Sequence, residues 1–181
     1  MSMDSDIFVA VDDLLLVSLA EGREIRLRVN GTSMVPFLGP GDIVVIQRIE
    51  PERLRKGDLV VVRREHELVT HRLVWQTAGK WVTKGDNCRS LDPAVVDQAI
   101  LGKVIALERS GATIDLQEKH WQTINRWLAR LGWIEANVFL FSRRLRACLP
   151  NYNTSREGAK GSLAARLLSV PFRLATRILV R

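Results

Sequence analysis

The sequence predicts a mainly β domain followed by a basic helical extension, and three observations predict it. Short β-branched runs recur between Gly-bearing turns from about residue 24 to residue 116, the pattern of an all-β barrel or sandwich. From His120 onward apolar residues fall instead at helical spacing. Charge divides at the same place. Residues 1–116 carry 15 Lys+Arg and 17 Asp+Glu, a net of −2, whereas residues 117–181 carry 12 Lys+Arg and 3 acids, a net of +9. The 181 residues, 46% hydrophobic and 26% charged, suit one globular domain over 1–116 and an extension over 117–181.

Taken in order, residues 11–21 read as a short amphipathic helix, capped by Asp12 or Asp13 and stopped at Gly22. Residues 24–29 alternate, with Ile25, Leu27 and Val29 on one side and Arg26 and Arg28 on the other, as in a half-buried strand. That strand leads into the loop Asn30-Gly31-Thr32-Ser33-Met34-Val35-Pro36-Phe37-Leu38-Gly39-Pro40. An approximate repeat follows: Gly41-Asp42-Ile43-Val44-Val45-Ile46 returns as Gly57-Asp58-Leu59-Val60-Val61-Val62, each copy a turn and then a strand. Residues 68–75 form another strand, which holds His71, and residues 80–84 one more. A polar loop over 85–93 separates these from a last strand pair, 100–107 and 113–116, split by a turn at 109–111.

In the extension, Trp121, Ile124, Leu128 and Leu131 make one helical stripe that Gly132 is expected to break. A second helical stretch runs from about Ile134 to Leu149, and a third, interrupted at Pro171, from Ser162 to Val180. Basic amphipathic helices with Trp, Phe and Leu suit an anionic membrane surface, the alternative being that they pack on the β domain. Apolar residues at helical spacing make nucleic acid the weaker partner. No apolar run reaches the ~20 residues that span a bilayer. The acidic start lacks the features of a signal peptide, and Cys88 and Cys148 suggest no disulfide framework. The expected setting is cytoplasmic, peripheral to a membrane.

A Ser nucleophile needs a base, and the base an orienting group. Ser33 lies in a loop shaped by Gly and Pro. Of the three histidines, His66 sits in a charged turn and His120 opens the basic extension, which leaves His71 as the one held rigidly within a strand. The loop over 85–93 offers two carboxylates, Asp86 and Asp92, the latter held extended by Pro93. Met34 to Leu38 reads as an exposed apolar lip beside Ser33.

The ordered boxes Gly31-Thr32-Ser33-Met34-Val35-Pro36, the two Gly-Asp strand starts, Val69-Thr70-His71-Arg72-Leu73-Val74, Thr83-Lys84-Gly85-Asp86-Asn87 with Asp92 beyond, and Leu101-Gly102-Lys103-Val104 resemble the signal peptidase I family. The likeness is to its Ser–His branch, of the endoplasmic-reticulum and archaeal type, and more distantly to LexA-like self-cleaving peptidases. It covers roughly residues 27–107. It implies a barrel-type β domain and a metal-free, cofactor-free serine endopeptidase acting on an extended peptide. Ser33 would be the nucleophile, with its own N–H serving the oxyanion; His71 would be the base. Asp92 would orient the base, with Asp86 as the second candidate for that role. Gly31, Met34 and Pro36 would shape the oxyanion and substrate side.

Three features depart from the family pattern. No membrane-spanning helix precedes the Ser box, Gly31 stands where a Ser often lends its hydroxyl, and the basic extension has no counterpart. Two other functions share this fold: a LexA-like self-cleaving regulator, disfavoured by the absence of a Lys at position 71 and of room for a helix-turn-helix unit, and a non-catalytic binding module.

Overall fold

The computed structural model describes residues 14–64, 67–77 and 79–147, with side chains as far as residue 144. Asp12, Asp13, His66, Cys148 and the helical stretch expected over 162–180 lie outside the described residues. Among the described residues the chain is mainly β: eight strands form one antiparallel sheet, preceded by a short helix and followed by a long one.

Helix α1, residues 14–20, buries Leu19 in the core and ends at Gly22, whose φ of 78° is open to glycine at little cost. Strand β1 (Ile25–Arg28) keeps the expected alternation, with Ile25 and Leu27 half-buried and both arginines exposed. β2 (Ile43–Gln47), β3 (Leu59–Arg64), β4 (Glu67–Thr77), β5 (Lys80–Lys84), β6 (Val95–Val96), β7 (Ile100–Arg109) and β8 (Ala112–Asp115) follow. The two-residue turn between β7 and β8 places Ser110 and Gly111 at φ 51° and 81°, the backbone that a tight hairpin asks for.

Strands run in the order β1-β2-β7-β3-β4-β5-β6, with β8 beside β7. This path is open, so the expected barrel does not close. The geometry of β7 explains the layout. Its ten residues give one edge to β2, while the other is shared between β3 near its start and β8 near its end. Register shifts at Val45/Ile46, at Val61/Val62 and at Leu73/Trp75 each add local bend, which curls the sheet around its core without joining the ends.

The repeated Gly-Asp turns flank β7 from both sides. In each copy the Asp carboxylate accepts the backbone N–H three residues earlier: Gly39 to Asp42 at 2.7 Å, and Arg55 to Asp58 at 2.9 Å. Each Asp then pairs with a basic residue of β7, Asp42 with Arg109 at 2.6 Å and Asp58 with Lys103 at 2.8 Å. The repeat is thus a structural device that anchors β2 and β3 to the central strand.

Helix α2 (Lys119–Ala147) is unbroken, in contrast to the expected stop at Gly132. A helical glycine costs about 1 kcal/mol. Here the burial of the helix face on the sheet outweighs that cost; a Cβ on Gly132 would stand 3.6 Å from the Lys84 side chain, an ordinary contact, so the position also has room for alanine. The helix seats on the sheet through Asn125, Leu128, Ala129, Gly132 and Ala136, all buried and on one face. Phe37 meets Trp121 edge-on at 6.0 Å, and Trp75 stacks on Trp133 at 5.6 Å. Gly57, at φ 103°, permits this approach: a Cβ there would lie 2.8 Å from the backbone of Asn125 and Arg126. Among the described residues no helix is long and apolar enough to cross a membrane.

Burial by itself would raise the Asp42 carboxyl. The hydrogen bonds from Arg109 and Gly39, with the Arg109 charge, outweigh it and hold the group below its ordinary range. A carboxyl lowered on folding adds stability above its unfolded pKa and loses it as pH falls through the lowered value. Asp42→Asn is therefore expected to melt below the wild type at neutral pH, and the gap to narrow in acid; thermal melts across pH measure it.

Candidate active site

Ser33 is delivered by the loop after β1. The loop turns tightly, with the N–H of Val35 on the Thr32 carbonyl at 3.2 Å and that of Leu38 on the Met34 carbonyl at 3.0 Å. The turn folds the expected lip inward: Met34, Phe37 and Leu38 are 2%, 1% and 0% exposed. They belong to the main core cluster, so the lip is a plug beneath Ser33 and not an exposed surface. Their apolar area is better buried than left to water.

His71 lies in β4, opposite Val60 of β3, and is buried. Its Nε2 is 3.0 Å from Ser33 Oγ, and its Nδ1 is 2.6 Å from Asp92 Oδ2. Two further groups converge on that same oxygen. The Thr83 hydroxyl donates to it at 2.6 Å, and Arg64 Nη2 makes an ion-pair contact at 2.8 Å without hydrogen-bond geometry. Burial pushes the Asp92 carboxyl up. The hydrogen bond and charge of His71, the Thr83 hydroxyl and the Arg64 charge outweigh it and hold the group below the ordinary carboxylate range. An ionised Asp92 accepts the Nδ1–H of His71, which leaves Nε2 as the acceptor facing the Ser33 hydroxyl.

Asp86 is engaged elsewhere. It accepts from Arg72 Nε at 2.9 Å and from Nη2 at 2.7 Å, both side chains fully buried. Arg72 Nη1 continues to the Gly57 carbonyl at 3.2 Å and to Asn125 Oδ1 of α2 at 2.7 Å. His71 and Arg72 are adjacent in β4, so their side chains leave opposite faces of the strand. The loop that begins at Gly85 is thereby tied to β4 twice, by Asp86 behind the site and by Asp92 within it.

The loop is also tied to Ser33. Asn87 donates its backbone N–H to the Ser33 carbonyl at 2.7 Å and its side-chain amide to the Thr32 carbonyl at 3.2 Å. At Gly85 there is no room for a side chain: a Cβ would meet the Ser33 carbonyl and Cys88 Sγ at 2.7 Å, and His71 Nε2 at 2.9 Å. Burial raises the Cys88 thiol, as does the Asp92 charge, so it stands as a thiol beside the site.

A cleft of about 440 Å³ opens at Ser33, lined by Arg28 to Gly31 on one side and by Arg64 and Glu67 to His71 on the other. Gly31 and Met34 line it, whereas Pro36, which follows a cis peptide bond, is not among the lining residues. Ser33, His71 and Asp92 were each legible as candidates. Residue type does not single out Thr83 or Arg64: Thr83 opens the Thr-Lys-Gly-Asp-Asn box, but it meets Asp92 only because the loop folds back and gives the Asp92 N–H to the Thr83 carbonyl at 2.9 Å.

A family model described as Peptidase S24-like matches residues 4–105, a span that holds Ser33, His71 and Asp92. No curated protein matches the chain.

Two outcomes follow from this geometry. Asp86→Asn leaves Arg72 buried without its charge partner and is expected to cost about 3–5 kcal/mol of stability, read by urea unfolding. Gly85→Ala is expected to remain folded but to displace Ser33 or His71, and a displacement near 1 Å costs about 10²-fold in rate; turnover of a peptide substrate per folded molecule measures it.

Proposed function

The chain belongs to the Peptidase S24-like family, and from that premise we propose that it is a serine endopeptidase whose chemistry resembles that of signal peptidase I. The observation that carries this reading is the unbroken line from Ser33 Oγ through His71 to Asp92, at 3.0 and 2.6 Å. A hydroxyl with no base in reach is a poor nucleophile, and a base with no orienter presents the wrong nitrogen.

In this reading the Ser33 oxygen bonds to the scissile carbonyl carbon as His71 Nε2 takes the hydroxyl proton. Asp92 holds the ring and stabilises the imidazolium. The carbonyl oxygen becomes an oxyanion, with the Ser33 N–H as the proposed donor; Gly31 brings no hydroxyl to that task. Collapse breaks the C–N bond, and the imidazolium gives its proton to the leaving amine. Water then attacks the acyl-enzyme, His71 takes a proton from it, and the same proton returns to Ser33 as the acid product leaves.

The cleft fits an extended substrate. Among the described residues β1 pairs only with β2, which leaves its outer edge open. β4 pairs with β5 only from Arg72 onward, so residues 67–71 also have an open edge facing the cleft. A peptide laid between these edges would gain main-chain hydrogen bonds on both sides.

Incubation of the purified chain with a mixture of unstructured peptides, read by mass spectrometry, tests the proposal. Cleavage is expected in the wild type, is expected to vanish in Ser33→Ala, and is expected to fall by about 10⁴ in Asp92→Asn. Intact mass of the enzyme itself, followed over the same time, distinguishes cleavage of a separate peptide from cleavage of its own chain. Equal cleavage by Ser33→Ala would sink the reading.

A further inference from the structure

Helix α2 is apolar on two opposite faces. One is spent on the sheet, through Asn125, Leu128, Ala129, Gly132 and Ala136. The other carries Trp127, Leu131, Ile134, Val138 and Phe141, separated by four, three, four and three residues, which sets them in one line along the helix. All five are exposed, Trp127 by 57%, Ile134 by 50% and Phe141 by 63%. A stripe of five large apolar side chains, three of them at least half in water, is more than the scattered exposure normal for a surface.

Charge decides what covers it. Between Lys119 and Arg144 the helix bears five basic residues, Lys119, Arg126, Arg130, Arg143 and Arg144, and one acid, Glu135. That acid is already committed to Lys84 at 3.0 Å. All five cations are exposed. A second copy of the chain, packed across a two-fold axis, would set this basic set against itself. Residues 148–181 carry six basic residues and one acid, so they meet the same repulsion. An anionic lipid surface is the complementary partner: it accepts the apolar line at the acyl boundary and the arginines among its headgroups.

We infer that the outward face of α2, centred on Trp127, Ile134 and Phe141, is a docking surface for anionic membranes. It holds the folded domain flat against the bilayer without crossing it. The inference stands apart from the peptidase reading, since it rests on neither Ser33 nor the cleft. The helix thus has one face for the fold and one for the membrane, so deleting it would test both at once. Substitutions on the outward face separate them.

The experiment is co-sedimentation of the full chain with phosphatidylcholine vesicles, with and without phosphatidylglycerol. Analytical ultracentrifugation of the lipid-free protein runs beside it, and unfolding curves check that each variant is folded. Binding is expected on the anionic vesicles, to weaken with salt, and to fall by about tenfold or more in Trp127→Ser/Phe141→Ser. Charge reversal in Arg126→Glu/Arg130→Glu is expected to weaken it with the apolar line intact. Undiminished vesicle binding by the folded Trp127→Ser/Phe141→Ser variant would overturn the inference, because residues outside this face would then be the anchor. A wild type that ignores vesicles overturns it too. A dimer lost in the same variant would then name a second copy as the occupant, and a monomer exposing the face only after removal of residues 148–181 would name the chain's own end.

Discussion

The buried pair of Arg72 and Asp86 is the constraint on which the site depends. Taking two charges out of water costs several kcal/mol each, and the structure meets that cost by leaving no arm of the guanidinium idle. Nε and Nη2 go to Asp86, and Nη1 to Gly57 and Asn125, with the Phe37 ring 4.8 Å from the guanidinium carbon. Through this one side chain the loop after β5, the second Gly-Asp turn, the segment beneath Ser33 and helix α2 are fixed to β4. An apolar residue in place of Arg72 could fill the volume, but it could not specify four partners by direction.

The line from Ser33 through His71 to Asp92 is then a consequence of strand geometry. Once Arg72 points into the core, its neighbour His71 must point out of the opposite face, where the Ser33 loop arrives. Once Asp86 is held, the six residues to Asp92 bring the second carboxylate round to the far nitrogen of the imidazole. Thr83, one strand over, and Arg64, at the end of β3, then define which oxygen of Asp92 faces the ring. The absence of a Cβ at Gly85 lets the loop lie against both Ser33 and His71.

Much of this was readable from residue types. Alternation gave β1 its faces, turn chemistry placed the strand starts at Gly41 and Gly57, and the order of the boxes singled out Ser33, His71 and Asp92. Local pattern failed where a long-range contact outweighed it. Met34, Phe37 and Leu38 sit in a loop, which suggests exposure, yet core packing draws them in. Gly132 would weaken an isolated helix, yet the face that α2 buries on the sheet keeps it whole. By residue type alone Asp86 and Asp92 look equivalent in one polar loop; the order of the boxes ranks Asp92 first, and the direction of Arg72 shows what Asp86 does instead.

By itself the sequence determined the mainly β class, the candidate Ser and His, the pair of carboxylates and the division of charge between the two halves. These depend on short-range periodicity, turn propensity and composition, which act within a few residues. The tertiary structure decided that the sheet stays open, which carboxylate meets the imidazole, that Thr83 and Arg64 share its oxygen, and which face of α2 remains outside. Each of those is set by groups far apart in the chain, whose meeting depends on register, burial and the limited directions in which a buried charge can be satisfied.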